Sequence, residues 1–180
     1  MCSSDLELKL EQIDVIGVME EIARATDKWL AKRDVTLSIE VAEDAQAFTG
    51  DPKRVRQILQ NLLANAIGFS PEGGTIRMGA RRDGEEILVF VSDTGRGIEP
   101  EFQSRAFDRF QSKPMPGGHR GPGLGLAIVK SFVELHGGQV SLLSRVSKGT
   151  TIICRFPLGG PEQAKRAQKK AQVSGSMAAA

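Results

Sequence analysis

The sequence predicts one α+β domain, and three observations carry that prediction. Apolar residues recur at helical spacing in long segments, short apolar runs of strand length lie between them, and clusters of turn residues separate the two kinds of segment. At 180 residues, 40% of them hydrophobic, the chain has enough apolar surface for one core and no length for a second.

In chain order, the pattern predicts a strand over 7–13, a helix over 15–32, a strand over 35–41 and a short strand over 46–49. A helix over 52–68 comes next, its start marked by Asp51 as a cap and Pro52 at the first helical position. Strands at 74–82 and 85–92 form a hairpin whose turn carries Asp83-Gly84. After them lie a short helix over 99–109, an irregular stretch over 111–122 and a helix over 123–136 patterned on Ile128, Val129, Phe132, Val133 and Leu135. A second hairpin, 138–145 with 149–157, closes the domain. Pro114, Pro116, Gly117 and Gly118 crowd the irregular stretch and predict a mobile loop. The first six residues, MCSSDL, share no periodicity with the strand and helix after them and read as a non-native leader. Residues 159–180 are mostly Gly, Ala, Gln, Lys and Ser with no aromatic, and read as a disordered basic tail.

A net charge of +2 gives no electrostatic reason for a nucleic-acid or membrane partner. Two cysteines, Cys2 and Cys154, fit a reducing compartment. With neither a signal peptide nor an apolar run of spanning length, the expected location is cytoplasmic, which leaves room for a membrane anchor elsewhere in a parent protein.

Chemistry concentrates in three places. In QILQNLLANAIGFSPEGG, residues 57–74, the stripe Val55, Ile58, Leu59, Leu62 and Ala66 should face a core, which leaves Asn61, Asn65 and Gly68 as a second stripe beside it. Two amides one turn apart need polar partners; solvent is the plain alternative. The apolar run Ile87–Val91 ends in Asp93-Thr94-Gly95-Arg96-Gly97-Ile98, which offers a carboxylate acceptor suited to an exocyclic amine and two glycines that let backbone approach a flat ring. Gly121-Pro122-Gly123-Leu124-Gly125-Leu126 opens the last helix, where free amides make a phosphate cradle. The glycines at 121, 123 and 125 lack dinucleotide-binding spacing, no GxxxxGK[ST] occurs, and His119 and His136 have no ligand partners at metal spacing. Both histidines read as non-catalytic.

Taken together the residues resemble the ATP-binding catalytic domain of bacterial sensor histidine kinases, in the superfamily shared with gyrase-type and chaperone ATPases. NLLANA resembles its N box, DTGRGI its G1 box, FDRF from Phe107 to Phe110 its F box and GPGLGL its G2 box, and the likeness runs on through ELHGGQV and KGTTIICRFP to cover residues 7–158. The resemblance implies a two-layer sandwich, a mixed sheet with helices on one face, holding ATP under a mobile lid. It further implies that Asn65 holds Mg²⁺ through its amide oxygen, Asn61 meets phosphate or metal, Asp93 takes the adenine amine and Thr150 supports adenine through water. Gly95, Gly97, Ile98, Gly121, Gly123, Leu124, Gly125 and Leu126 join them as nucleotide-binding positions.

In that family the phosphoryl acceptor is a histidine on a preceding dimerisation domain, and a response regulator acts downstream. Residues 1–30 contain no histidine, so the chain is not expected to phosphorylate itself. Hydrolytic members of the superfamily typically carry a glutamate where this chain has Asn61; an amide is no general base, which favours transfer over hydrolysis. Two departures weigh against catalysis: Gly68 where the family commonly has Lys or Arg, and Pro122 where a backbone N–H is usual. The alternatives are therefore a nucleotide-binding pseudokinase scaffold and a serine/threonine kinase or ATPase of the same superfamily.

Overall fold

The computed structural model describes residues 7–108 and 124–166. Strand β1 (Glu11–Asp14) runs directly into α1 (Val15–Lys32), because Asp14 ends the strand and caps the helix, its Oδ1 accepting the Gly17 N–H at 3.1 Å. After β2 (Thr36–Val41) and a 3₁₀ turn, β3 (Ala47–Gly50) pairs antiparallel with β1. The expected strand from residue 7 is shorter than its pattern. Its partner ends at Gly50, where Asp51 turns into a helix, so the Lys9 N–H donates to Asp51 Oδ2 at 2.9 Å instead of to a strand carbonyl.

Asp51 caps α2 (Pro52–Phe69), with Pro52 at its first position, and the stripe from Val55 to Ala66 is buried as its spacing requires. Strands β4 (Thr75–Asp83) and β5 (Glu86–Asp93) form the central hairpin. The register pairs Asp83 with Glu86, so the loop is Gly84-Glu85 and not Asp83-Gly84. Asp83 stays in the ladder, where its carboxylate accepts from Arg155 at 3.0 Å.

Helix α3 (Pro100–Gln103) is far shorter than the expected 99–109. Beyond Gln103 the chain winds on i to i+3 bonds, with Arg105 donating to Phe102, Ala106 to Gln103 and Asp108 to Arg105. That tighter winding aligns residues three apart, Phe102 and Arg105, toward one cavity. Helix α4 (Gly125–Leu135), β6 (Gln139–Arg145) and β7 (Gly149–Pro157) complete the domain. The stretch expected to be disordered from 159 begins with order: residues 161–166 are helical, Gly160 donates to the Pro157 carbonyl at 3.0 Å, and the Gln163 amide reaches Glu85 at 2.9 Å.

Five strands make the main sheet in the order β2-β4-β5-β7-β6, with β2 and β4 parallel and every other pair antiparallel. Alternate residues Ile87, Val89 and Val91 of β5 point to the helical side, where they join Ile58, Leu59, Leu62 and Leu63 of α2 and Val129 and Val133 of α4 in one core. Cutting one of those fully buried α2 side chains to Ala costs about 2–5 kcal/mol. Cys154, in the middle of β7, is fully buried, and desolvation pushes its thiol up to about 12.

His136 ties the helices together at the end of the core away from β5's terminus. Its Nε2 accepts the Asp51 N–H at 3.0 Å, which places the ring proton on Nδ1, donated to the Phe132 carbonyl at 2.7 Å. Burial lowers its pKa, so the ring is held neutral in a structural role.

Candidate functional site

A cavity of about 200 Å³ opens between the C-terminal half of α2 and the ends of β5 and β7. Leu62 and Ala66 of α2, Val91, Ile152 and Leu126 give it apolar walls, Asn65, Asp93 and Thr150 supply neutral and acidic polar groups, and Arg96 and Arg105 border it as cations. Such a setting, mostly apolar with a few converging acceptors, suits a flat heterocycle with a polar edge.

Asp93 and Thr150 are direct neighbours across β5 and β7. Burial drives the Asp93 carboxyl above the ordinary carboxylate value, and the N–H groups of Gly95 and Thr150 that donate to it pull part of the way back. The Gly95 bond is 2.8 Å long, to Oδ1. Phe69, the last residue of α2, borders the cavity under the Arg96 guanidinium, which lies 4.9 Å from the ring centroid.

The two glycines of this turn are required for a reason other than the one the sequence indicated. A Cβ on Gly95 would meet the Phe69 carbonyl at 2.5 Å and Asp93 Oδ1 at 2.7 Å, and one on Gly97 would collide with the Arg145 carbonyl while the backbone holds φ at 69°. It is the protein's own backbone that excludes side chains there.

Asn61 stands beside the cavity rather than in its wall, facing the start of α4: a Cβ added to Gly125 would lie 3.7 Å from Asn61 Oδ1. Among the described residues its buried Nδ2 has no hydrogen-bond partner. Among the same residues no side chain caps α4, whose N-cap is Leu124. A helix start of that kind, with the open Gly125 beside it, fits an anion such as phosphate. No group of three or more His, Cys, Asp or Glu among the described residues is placed to hold a metal. A magnesium ion held largely by phosphates would need little from the protein beyond a neutral oxygen, which the amide of Asn65 at the cavity offers.

Asn65, Asp93, Gly97, Ile98, Leu126 and Thr150 thus meet at one cavity. Gly95 holds the carboxylate from behind, and Asn61, Leu124 and Gly125 meet at its side. Gly121, Gly123, Pro122, the whole of the expected lid and the end of FDRF lie outside the described residues. Gly68 is buried and absent from the cavity wall, its carbonyl accepting from Arg33 at 3.5 Å.

Two residues the sequence did not single out hold the site together. Ser144 Oγ accepts the Ile98 N–H at 2.8 Å and lies 2.8 Å from Thr150 Oγ1. The Gln103 amide donates to the carbonyls of Ile98, at 2.8 Å, and Ser144, at 3.1 Å. Ser144 had a signal: it falls on the inward face of β6 after Val140 and Leu142, where a polar residue needs a reason. Gln103 had none.

A family model described as histidine kinase-, DNA gyrase B-, and HSP90-like ATPase matches residues 50–160. The sensor protein DivL of Caulobacter vibrioides is 39% identical over 155 residues, 86% of this chain and 20% of DivL. Full-length ShkA, solved in complex with AMPPNP, superposes with a TM-score of 0.75 at 28% identity, over 86% of this chain and 32% of ShkA. ThkA, solved in complex with the response regulator protein TrrA, shares the fold with a TM-score of 0.72 at 23% identity, over 85% of this chain and 42% of that one. The chain spans about a fifth of the length of the curated relatives it matches.

Proposed function

The chain belongs to the histidine kinase-, DNA gyrase B- and HSP90-like ATPase family, and from that premise we propose that it is the ATP- and Mg²⁺-binding catalytic domain of a sensor histidine kinase. In this reading its parent moves the γ-phosphoryl group of ATP to a histidine on its own dimerisation domain and from there to a response regulator. The observation that carries the reading is the meeting of Asp93, Thr150 and Asn65 in one apolar cavity beside an uncapped helix start. Asp93 accepts from the adenine amine, Thr150 supports the same edge, and Leu62, Ala66 and Ile152 exclude water from the ring. The first N–H groups of α4 make the phosphate cradle, and Asn61 stands beside it. When bound, Mg²⁺ supplies neutralisation of the phosphate charge.

Chemistry then rests on positioning: the bond from the γ-phosphorus to the bridging oxygen breaks, ADP leaves with that electron pair, and an imidazole nitrogen takes the phosphoryl. Asn61 offers no general base for water, since it is an amide. A second reading, a nucleotide-binding pseudokinase scaffold, draws on Pro122, which has no N–H where the resemblance expects one. No helix among the described residues is long and apolar enough to cross a membrane.

Calorimetric titration with ATP tests the site. Asn65→Ala should weaken binding by about tenfold or more in Mg²⁺, the loss of roughly one charge-assisted contact, and leave metal-free binding nearly unchanged. Equal losses under both conditions would make Asn65 a structural residue. Phosphoryl transfer to the parent's histidine-bearing domain, supplied separately, distinguishes the kinase from the scaffold.

A further inference from the structure

Proton bookkeeping around Ser144 reaches further than the cavity walls do. A serine hydroxyl has one proton to give and two lone pairs to receive. Ser144 Oγ lies 3.1 Å from the Gly149 carbonyl, an acceptor only, and takes the Ile98 N–H at 2.8 Å, a donor only. With its proton given to Gly149, its remaining lone pair takes the proton of Thr150 Oγ1, 2.8 Å away. In that arrangement Thr150, which lines the cavity, keeps no hydroxyl proton for a ligand. Beside it, one strand over, is the acceptor Asp93.

We propose that Ser144 is a specificity-determining positioning residue: by fixing the Thr150 hydroxyl as an acceptor next to Asp93, it makes the cavity select a 6-aminopurine over a 6-oxopurine. An amino group brings two hydrogens to two adjacent acceptors. A 6-oxo group sets lone pairs against both, and the ring N–H beside it can satisfy at most one of the two. Ser144 reaches the ligand only through Thr150 and touches no part of it. The Gln103 amide, which joins the Ile98 and Ser144 carbonyls, keeps the two strands of this network at bonding distance.

The proposal rests on the nucleotide reading above, and the experiment separates the two. The full chain is titrated with ATP and with inosine triphosphate, which differs from ATP in having a 6-oxo group and a protonated ring nitrogen. The unaltered protein should prefer ATP by about a hundredfold or more. Ser144→Ala frees the Thr150 proton to turn into the cavity, so the preference should fall by about tenfold, with inosine triphosphate gaining relative to ATP. Ser144→Thr, which keeps the hydroxyl, should restore it. Should Ser144→Ala not fold, Thr150→Val removes the oriented hydroxyl from the other side, and the preference should fall there too. An equal change for both nucleotides, or an unchanged preference in a folded variant, overturns the role of Ser144. No discrimination by an unaltered protein that binds ATP overturns it as well and leaves the nucleotide site standing. No binding of ATP at all overturns the nucleotide reading itself, and this proposal with it.

Discussion

Two helix starts in this molecule present the same chemistry and are treated in opposite ways. At α2, Asp51 Oδ1 accepts from the N–H groups of Lys53 at 2.9 Å and Arg54 at 3.2 Å, its Oδ2 takes the Lys9 N–H at 2.9 Å, and its own N–H goes to His136. Both carboxylate oxygens and the backbone donor of that corner are in use. At α4, the N-cap residue is a leucine, and among the described residues no side chain accepts from the helix start and the nearby Asn61 Nδ2 has no partner. Uncapped starts forgo about 0.5–2 kcal/mol, and a buried orphan donor a further 1–3 kcal/mol or so. The saturated corner therefore contributes to stability, and the unsaturated one retains donors for something the fold does not itself provide.

Substitutions that act on one side of this divide should leave the other alone. The largest effect is expected for Asp93→Asn, which puts an amide where an acceptor is needed. ATP affinity should fall by about a hundredfold or more, the scale on which a site rejects a mismatched hydrogen-bonding group. Folding stability should hold or rise slightly, because burial already disfavours the charged carboxyl. Calorimetry alongside thermal melts checks both halves, and unchanged ATP affinity in a folded variant would remove Asp93 from the base edge.

Asp51→Ala should invert that result. Losing the α2 cap costs about 1–2 kcal/mol, read as a lower denaturation midpoint, while ATP affinity stays within about threefold. A large loss of affinity at unchanged stability would mean that the two corners are not independent.

The smallest effect is the pH response of the closed corner. Because burial depresses the His136 pKa below its ordinary 6.5, the folded protein binds fewer protons here than the unfolded chain does. Stability from this group is complete above about 6.5 and declines as pH falls below it. Burial alone would raise the Asp51 pKa, but the N–H groups of Lys9, Arg54 and Lys53 outweigh it and lower it, so its contribution is lost only in stronger acid, below 3.8. Denaturant midpoints measured between pH 7.5 and 5 should fall for the unaltered protein and fall less for His136→Gln. Parallel curves would deny His136 its part in the decline.

How much of the molecule was legible in its sequence depended on how local each feature is. The α2 cap, its apolar stripe and the pair Asn61 and Asn65 are written within twenty residues of chain, and helix and stripe are found there. The same holds for β5, an apolar run ending at Asp93. Ser144 became visible only through register, since what matters is that Thr150 faces it across a hairpin and Ile98 reaches it from 46 positions away. The shortened α3 reflects a similar limit: its residues can form a helix, but the cavity draws on Phe102 and Arg105 at a spacing of three. The turn glycines were legible as glycines, yet their reason was not, because the atoms that exclude a side chain belong to Phe69 and Arg145.

That crowding has a consequence for how the domain can change over time. A flexible neighbour can move aside for a new methyl group; a carbonyl locked in a helix end or a sheet cannot. Gly95 and Gly97 are thus hemmed in by the two least yielding parts of the structure, the end of α2 and the end of β6. Drift at either position is closed off whether or not anything is bound, so the loop keeps its shape in descendants that lose the chemistry. A fossil of this kind preserves the outline of a binding site after its use has gone, and only positions without such backbone crowding record whether the use continues.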